Sequence, residues 1–449
     1  MYSIKSYLIK SIVLPLGDKA MKTSISASIK QIKRMRQFSN TEIETWQNQQ
    51  LNKLVYHAYT HTEYYKSLFD KNGIKPEDIQ TIHDLDKIPV LTKTDIRNNF
   101  QELIADNIKN IPHKKASTGG STGDPISFLL DHKSWSFSNA NNIINWEKTD
   151  YRYGDKFIAL GSTSLFVDKK PSLKHRLYYK LKNKIGLNGV NMSDEVCRDY
   201  VELIKSKKIK FIYGYASSIY LLAKWVFENN IKVNINSCFT TSEVLTSQYR
   251  KVISDAFHCK IIDCYGAHDG GITAFAHEEG FFEVGYNSIV RIEKPDQNGA
   301  GTALLTDLLN YAMPLINYKL GDELLIDAKQ NEQYSYNGQI INKVLGRTSD
   351  ILQLGNGHVL TGPGFTFLFK DLPVEYYCIE KTAMDALTCW IIKLPEFNPS
   401  HEKTIFQTLK KQAGENISIM IKYTDKPFLS KSGKRKYMVD NSTKIITNK

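Results

Sequence analysis

The sequence lacks several features that would assign a protein class at once. It contains no apolar run long enough to span a bilayer. Its N-terminus interrupts apolar residues with lysines and a Pro-Leu-Gly break, unlike a secretory signal peptide. The six cysteines form no Cys-x-x-Cys pair, which is typical of reduced thiols in a cytosolic chain. We therefore expect a cytoplasmic protein. The cysteines and histidines that lie close in sequence have spacings that match no standard structural zinc site: His258, Cys259, Cys264, His268 and His277.

Common nucleotide-binding signatures are also missing. There is no Walker loop of the form G-x-x-x-x-G-K-[ST] and no G-x-G-x-x-G after a predicted strand. The net charge of +12 lies at the two ends of the chain. Residues 1–36 carry eight Lys/Arg and one acid, and residues 401–449 carry eleven Lys/Arg and four acids. Without a nucleic-acid motif or a basic stripe on a folded face, we expect no nucleic-acid partner.

The basic N-terminal segment, residues 1–36, has two interpretations. It can pack against its own protein, or it can lie on an anionic membrane surface as an amphipathic helix. The sequence favours packing, because charged segments of this kind are usually solvated faces of a folded protein. The apolar residues that alternate with its lysines are Tyr2, Ile4, Tyr7, Leu8, Ile12 and Leu14.

The length and the hydrophobic pattern predict an α/β protein of two or three domains. A chain of 449 residues exceeds what one hydrophobic core usually supports. Apolar runs such as KFIAL, KFIYGY and KIIDCYG alternate with amphipathic stretches such as SSIYLLAKWVFENN. This alternation predicts largely parallel strands with connecting helices. Residues 41–70 are predicted to form one helix, and residues from about 351 onward have a strand–helix pattern of their own.

The segment ASTGGSTGDPI, residues 116–126, crowds glycines and hydroxyl side chains into one loop. It contains G-x-S-x-G, the nucleophile elbow of serine hydrolases, with Ser121 as the nucleophile. That elbow needs a buried strand before the serine and a helix after it. Here the polar IPHKKAST precedes the loop and the strand-like ISFLLD follows it. A glycine-rich loop between two strands that binds polyphosphate through backbone N–H groups fits better.

Several further segments, taken in order, resemble one enzyme family. They are LVYHAYTHTEYYKSLFDKNGIKPEDI, FIYGYASSIYLLA, CFTTSEVLTSQYR, IIDCYGAHDGG, YAMPLINYKLGDELL, VLGRTSDILQLGNG and LSKSGKRKYMV. Together with the glycine-rich loop, they resemble the adenylate-forming ligases, in the phenylacetate–CoA ligase-like branch that includes CapK-type proteins of capsule biosynthesis. The resemblance covers most of the chain. It implies a large multi-subdomain core over residues 1–347 and a small, mobile α+β domain over residues 351–449.

The resemblance assigns a role to each matching residue. Ser242 and Glu243 would contact adenine, and the ring of Tyr265 would pack on it. Asp322 would accept the ribose hydroxyls, and Arg347 would reach ribose or phosphate. The ATP phosphates would be held by Ser117, Thr118, Gly119, Gly120, Ser121, Thr122 and Gly123.

The remaining implied roles concern the acid, the metal and domain rotation. Asp269 and Thr122 would hold Mg²⁺, and Asp269 would thereby serve catalysis. Asp350 would be the hinge, and Lys434 would be the catalytic lysine delivered by the small domain. The acid would lie against Tyr213, Tyr215, Ser217, Ser218 and His268.

The implied reaction uses ATP and Mg²⁺ to convert a carboxylic acid into an acyl-adenylate. The acyl group would then pass to CoA, or to an amine or hydroxyl group. Surface-polysaccharide biosynthesis is the implied setting, with peripheral contact to the inner membrane or to glycan-assembly proteins. A non-catalytic, nucleotide-binding scaffold in a glycan-assembly complex is the alternative.

Two positions depart from the family pattern. The family usually has a glutamate where this chain has Asp269, which reaches about one methylene less far toward a metal. The wider superfamily often has a lysine where this chain has Ile126. Neither change removes the essential set of residues, but both bear on how fast ATP turns over, and together they keep a catalytically weak protein open as an interpretation.

Overall fold

The computed structural model describes residues 7–118, 126–161, 183–189, 192–328, 333–347, 351–356, 358–361, 368–369, 372–429 and 435–442. The described helices are α1 (Leu14–Met21), α2 (Ile25–Met35), α3 (Asn40–His61), α4 (Glu63–Asn72), α5 (Lys93–Asn98), α6 (His132–Trp146), α7 (Asp194–Lys207), α8 (Ala216–Glu228), α9 (Ser247–Phe257) and α10 (Pro399–Ala413). A π-helical turn, Ile9–Val13, precedes α1, and short 3₁₀ turns cover Pro76–Asp78, Ile82–Lys87 and Ile108–Asn110.

The described strands are numbered in chain order. They are β1 (His113–Ser117), β2 (Ser127–Asp131), β3 (Phe157–Gly161), β4 (Lys184–Asn188), β5 (Phe211–Tyr215), β6 (Ser237–Thr241), β7 (Lys260–Ala267), β8 (Ile272–Ala276), β9 (Phe282–Val284), β10 (Ser288–Glu293), β11 (Ala300–Asp307), β12 (Tyr318–Leu325), β13 (Ile340–Ile341), β14 (Lys343–Arg347), β15 (Ile351–Gln353), β16 (Val359–Thr361), β17 (Val374–Ala383), β18 (Ala386–Lys393), β19 (Ser418–Tyr423) and β20 (Met438–Asp440).

The prediction of one helix over residues 41–70 is wrong, because the chain turns at Thr62. Thr62 has extended backbone angles (φ −128°, ψ 131°) and separates α3 from α4. Its hydroxyl accepts a hydrogen bond from the backbone N–H of Tyr65 at 3.3 Å, and it donates to the carbonyl of Ala58 at 2.7 Å. One threonine thus ends α3 and caps α4, as N-cap residues commonly do.

The largest sheet has the order β13-β9-β8-β7-β6-β5-β3-β4. Strands β4, β3, β5, β6 and β7 are parallel to one another, and the pairs β7–β8, β8–β9 and β9–β13 are antiparallel. The predicted α/β architecture is therefore confirmed. Strands β3 and β6 are buried along their whole length, which is expected of parallel strands covered on both faces. Helices α7, α8 and α9 supply the apolar side chains on one face.

A second, fully antiparallel sheet has the order β10-β11-β12-β14. Its inner side chains share a core with α3, α4 and the β1–β2 hairpin. This shared core brings β12 close to the end of β7, and that approach forms part of the candidate site described below.

The C-terminal part has its own sheet and its own core. Strands pair in the order β19-β18-β17-β20, and α10 packs on them together with the β15–β16 hairpin. The predicted α+β pattern of this part is confirmed. The division at residues 347 and 351 stays a prediction, and Asp350 lies outside the described residues.

The N-terminal segment packs with one face and exposes the other. Leu14 is buried against apolar side chains of α2 and α6. Lys10 forms an ion pair with Glu147 at 2.6 Å. No helix in the described ranges is both long enough and apolar enough to cross a membrane. The apolar side chains that stay exposed are Tyr7, Leu8, Ile12 and Leu16.

Candidate nucleotide and acid site

The glycine-rich loop connects the two strands of a β-hairpin. Strands β1 and β2 are antiparallel, with Ser117 opposite Ser127. The N–H of Thr118 donates to the carbonyl of Ile126 at 3.0 Å, and the N–H of Ile126 donates to the Thr118 hydroxyl at 3.0 Å. These bonds close the base of the loop. Of the predicted phosphate ligands, Ser117 and Thr118 are located, whereas Gly119, Gly120, Ser121, Thr122 and Gly123 lie outside the described residues.

The hairpin argues against the hydrolase alternative. A nucleophile elbow joins a buried strand to a helix. Here the loop joins two antiparallel strands of a two-stranded sheet, and the first of them, His113–Ser117, is largely exposed. The described strands on the two sides of Ser121 therefore lack the strand–turn–helix order that a nucleophile elbow requires, and Ser121 itself lies outside the described residues.

The carboxyl ends of β5, β6 and β7 bring three predicted segments together. Tyr215 is paired with Thr241, which in turn is paired with Cys264. The residues that follow these strand ends therefore meet at one edge of the sheet, the position where open α/β sheets bind ligands. The predicted adenine and acid residues at this edge are Tyr213, Tyr215, Ser217, Ser218, Ser242, Glu243 and Tyr265.

Glu243 connects the end of β6 to the start of α8. Its Oε2 accepts a hydrogen bond from the N–H of Ser217 at 2.9 Å, in the first turn of α8. A carboxylate is stabilised there by the helix dipole and by the unpaired N–H groups. Its Oε1 is buried without a hydrogen-bond partner among the described residues. The preceding Ser242 has φ +68°, a left-handed conformation that is uncommon outside glycine and often found at functional sites.

Tyr265 and Asp322 form the link between the two sheets. The Tyr265 hydroxyl, at the end of β7, donates to Asp322 Oδ2 on β12 at 2.9 Å. Asp322 is buried and lies opposite Arg347 in the β12–β14 register. The two predicted ribose residues are thus neighbours, and both belong to the antiparallel sheet that packs beside the end of β7.

The turn between β7 and β8 presents Asp269. Gly271 has φ +64°, and a Cβ there would lie 2.2 Å from the Asp307 carboxylate. This position therefore requires glycine. Asp269 is buried, and Tyr318 donates to its Oδ2 at 2.9 Å. Burial raises the pKa of Asp269, and the Tyr318 hydrogen bond and the charge of Lys93 oppose that shift. The neighbouring His268 is exposed.

The side chains around Asp269 are compatible with a metal that is held mainly by substrate. Within the described ranges, no three His, Cys, Asp or Glu side chains are grouped so that they could share a metal ion. Mg²⁺ typically takes one or two carboxylates and completes its shell with waters and phosphates. Asp269 supplies one such carboxylate. Its predicted companion Thr122 lies outside the described residues.

The predicted acid pocket adjoins a cluster of aromatic side chains. The Tyr213 ring lies 5.0 Å from Trp146, which stacks on Phe239 at 4.5 Å. Burial raises the pKa of Tyr213, so its phenol stays protonated at neutral pH. The Ser218 hydroxyl donates to the carbonyl of Gly189 at 2.9 Å and therefore holds backbone. Trp146 and Phe239 were not identified from the sequence, because isolated aromatics in buried elements look like ordinary core residues.

The segment around Lys434 is described on both of its sides. Lys434 itself lies outside the described residues. Leu429 and Arg435 form an antiparallel bridge, and the N–H of Lys436 donates to the carbonyl of Phe428 at 2.8 Å. Both sides of the segment are therefore fixed to each other. Sequence reasoning passed over Arg435, whose side chain is buried.

Comparison with known proteins identifies the family. No protein-family model matches the chain. It is 22% identical over 417 residues to protein CapK of Staphylococcus aureus, an alignment that covers 92% of each chain. It is 24% identical over 446 residues to phenylacetate–coenzyme A ligase of Aromatoleum evansii, covering 90% of this chain and 96% of that one. The chain belongs to the adenylate-forming superfamily. The two relatives place it in the phenylacetate–CoA ligase-like, CapK-containing branch.

Solved structures of this superfamily share its fold. A 2-hydroxyisobutyryl-CoA ligase in the postadenylation state, bound to 2-HIB-AMP, has a TM-score of 0.70 at 15% identity and covers 92% of this chain and 93% of its own. The same ligase in the thioesterification state has a TM-score of 0.57 at 14% identity, with the same coverage. The predicted fold class is confirmed.

Proposed function

We propose that this protein is an ATP-dependent acid ligase. A carboxylate oxygen attacks the α-phosphorus of ATP, and the bond to pyrophosphate breaks. The product is an acyl-adenylate. An acceptor then attacks the acyl carbon, and AMP leaves. The sequence relatives and the shared fold support this reaction class. The observation that carries the proposal is the meeting of Glu243, Tyr265 and Asp322 at one strand-end edge, although they are far apart in the sequence.

The residues at this edge take complementary roles. The Asp322 carboxylate accepts hydrogen bonds from the ribose hydroxyls, and the Tyr265 hydroxyl holds this carboxylate in place. Ser117, Thr118 and the loop after them bind the phosphates. Asp269 would hold Mg²⁺, which neutralises phosphate charge when bound. Lys434 stabilises the charge that builds up between the carboxylate and the α-phosphate, because catalysis of this kind is mainly positioning and charge neutralisation.

The deciding experiment is acid-dependent ATP–pyrophosphate exchange. Pools of aryl acids, short fatty acids, amino acids and uronic acids are tested with the wild type and with Lys434→Ala. Lys431→Ala removes the same charge three residues earlier and is the matched control. We expect exchange that depends on one pool, survives in the control and falls about 100-fold or more in Lys434→Ala. ATP binding without exchange in any pool would contradict the ligase and support the scaffold. Absence of ATP binding would contradict both.

We further propose CoA as the acceptor, with an amine or hydroxyl group as the alternative. The relatives named as CoA ligases support CoA. The similarity to CapK supports the setting that we propose, namely cytoplasmic activation of an acid for surface-polysaccharide biosynthesis. Product analysis by mass spectrometry with CoA, amino sugars and amino acids in competition distinguishes these acceptors. An acyl-CoA product confirms the first choice, and an acylated sugar would replace it.

We also propose that the N-terminal segment rests on an anionic membrane surface. Leu8, Ile12 and Leu16 are spaced four residues apart and are 45%, 51% and 63% exposed, so they form one apolar row. The segment that carries this row is strongly basic, since residues 1–36 contain eight Lys/Arg and one acid. An exposed apolar row with basic neighbours is the pattern of interfacial helices.

Vesicle co-sedimentation tests this contact. The full chain is mixed with phosphatidylglycerol vesicles and with neutral phosphatidylcholine vesicles. We expect binding to the anionic vesicles that weakens with salt and is lost when Leu8, Ile12 and Leu16 are changed to serine. Met384→Ser, which removes an exposed apolar side chain elsewhere, is the control. Equal binding of the triple variant and the wild type would contradict the proposal.

A further inference from the structure

The residue after Lys434 occupies a buried site between the C-terminal part and the large sheet's helices. The side chain of Arg435 is 3% exposed. Its Nη1 donates a hydrogen bond to the hydroxyl of Tyr249, and its Nη2 lies 3.8 Å from Glu375 Oε1. We call Tyr220, Tyr249, Glu375 and Tyr376 the arginine socket. A charge buried so completely is stable only with such partners.

The arginine socket is built from both parts of the chain. Tyr220 on α8 and Tyr249 on α9 stack at 4.4 Å and belong to the core beside the large sheet. Glu375 and Tyr376 lie on β17 of the C-terminal sheet. The guanidinium carbon lies 6.0, 5.6 and 5.7 Å from the ring centroids of Tyr220, Tyr249 and Tyr376. These distances allow cation–π attraction, for which arginine is well suited.

Hydrogen bonds connect the arginine socket to the residues on both sides of residues 430–434, the lysine segment. The Tyr376 hydroxyl accepts from the N–H of Phe428 at 3.0 Å and donates to the carbonyl of Lys436. Arg435 pairs with Leu429 across the base of the segment. The backbone on both sides of residues 430–434 is therefore fixed by Tyr376 and Arg435. The contacts of Arg435 and Tyr376 therefore fix the described backbone that adjoins the lysine segment.

We propose that Arg435 is a positioning residue that anchors the C-terminal part to α8 and α9 and thereby places Lys434 for acyl-adenylate formation. The placement of Lys434 rests on the function proposed above, whereas the anchoring does not. The higher TM-score against the postadenylation form than against the thioesterification form of one ligase supports this arrangement.

The first test measures exchange kinetics with the acid pool that the wild type uses. We expect Arg435→Ala to lower the maximal exchange rate about 10- to 100-fold while the KM for ATP changes less than about 3-fold. Arg435→Lys keeps the charge but loses the planar fork, so it should recover part of the rate. Lys251→Ala removes an exposed lysine of α9 whose ion pair with Asp255 lies within that helix, so it is the control and should stay within about 2-fold of wild type. Equal loss of rate and of ATP affinity would overturn the positioning role.

The second test needs no activity. Hydrogen–deuterium exchange of the full chain compares α9 and the peptides that flank residues 430–434. We expect Arg435→Ala to speed exchange at both places at once and to leave β18 and β19 unchanged. Tyr249→Phe removes one hydroxyl of the arginine socket from the opposite side, and it keeps the test valid if Arg435→Ala does not fold. It should give a weaker effect at the same two places. Unchanged α9 protection in both variants would overturn the anchoring, whether or not the wild type shows exchange of pyrophosphate.

Discussion

The strand-end edge and the arginine socket hold buried charges in different ways. At the edge, Asp322 and Asp269 are fixed by Tyr265 and Tyr318, and the edge residues and their partners belong to the large N-terminal part. In the arginine socket, Arg435 joins two cores that have separate apolar clusters. A change at the edge should therefore alter folding or ligand affinity. A change in the socket should alter how the two parts are arranged.

This difference matches the roles that we propose for the two regions, nucleotide binding at the edge and placement of Lys434 by the arginine socket. A nucleotide site gains affinity when its polar groups are held rigidly before the ligand arrives. A lysine delivered by a second part must instead be held by contacts that can be made and broken. Buried ion pairs and cation–π contacts suit that task, because they depend strongly on geometry and contribute little net stability to the fold.

The largest effect on folding is expected at the turn that presents Asp269. Gly271→Ala would place a Cβ 2.2 Å from the Asp307 carboxylate and would force alanine to adopt φ +64°. We expect a loss of about 3 kcal/mol or more in the free energy of unfolding, measured by urea denaturation. Gly280→Ala is the matched control, because φ is +90° but no atom lies within 4 Å of the added Cβ. It should lose about 1–2 kcal/mol. Equal losses in both variants would mean that the contact with Asp307 has no effect.

The next effect should fall on ATP binding and spare the fold. Asp322→Asn keeps an oxygen that can accept from Tyr265 but removes the charge that strengthens bonds to ribose. We expect ATP affinity to fall about 10- to 100-fold in calorimetric titration, with an unchanged melting temperature. Tyr265→Phe removes a single hydrogen bond and should cost about 5-fold. An unchanged affinity in Asp322→Asn would place the ribose elsewhere.

The smallest effect is a pH dependence of stability at Asp307. Burial raises the pKa of Asp307 to about 6, against an unperturbed value of about 4. The folded state therefore binds more protons than the unfolded state between these values, so stability falls as pH rises from about 4 to 6. Asp307→Asn removes this titration, and Leu309 N–H can still donate to its Oδ1.

We expect the melting temperature of Asp307→Asn, relative to wild type, to be higher at pH 7.5 than at pH 4.5. The corresponding difference in the free energy of unfolding between variant and wild type should change by about 1–3 kcal/mol across that range. Asp150→Asn, at an exposed position, serves as the control and should show no such trend. A difference between Asp307→Asn and wild type that does not vary with pH would contradict a raised pKa.

The sequence by itself determined the buried strands of the large sheet and the family of this protein. Apolar runs such as KFIAL and KFIYGY carry enough local information to specify buried strands, because parallel strands covered on both faces must be apolar throughout. The strand after the glycine-rich loop could be recognised from the apolar ISFLLD, whereas the polar and largely exposed β1 before it carries no such signal. The helix break at Thr62 was missed, because apolar periodicity continues across it and a single cap outweighs that pattern.

The tertiary structure alone decided which polar residues act together. Nothing local connects Tyr265 with Asp322, or Glu243 with the N–H of Ser217, since both pairs depend on how strands order within and between sheets. Arg435 gave no signal in a basic tail, where charged residues are usually solvated. Its burial follows from two cores meeting, and a linear pattern cannot encode which surfaces of separate cores come into contact.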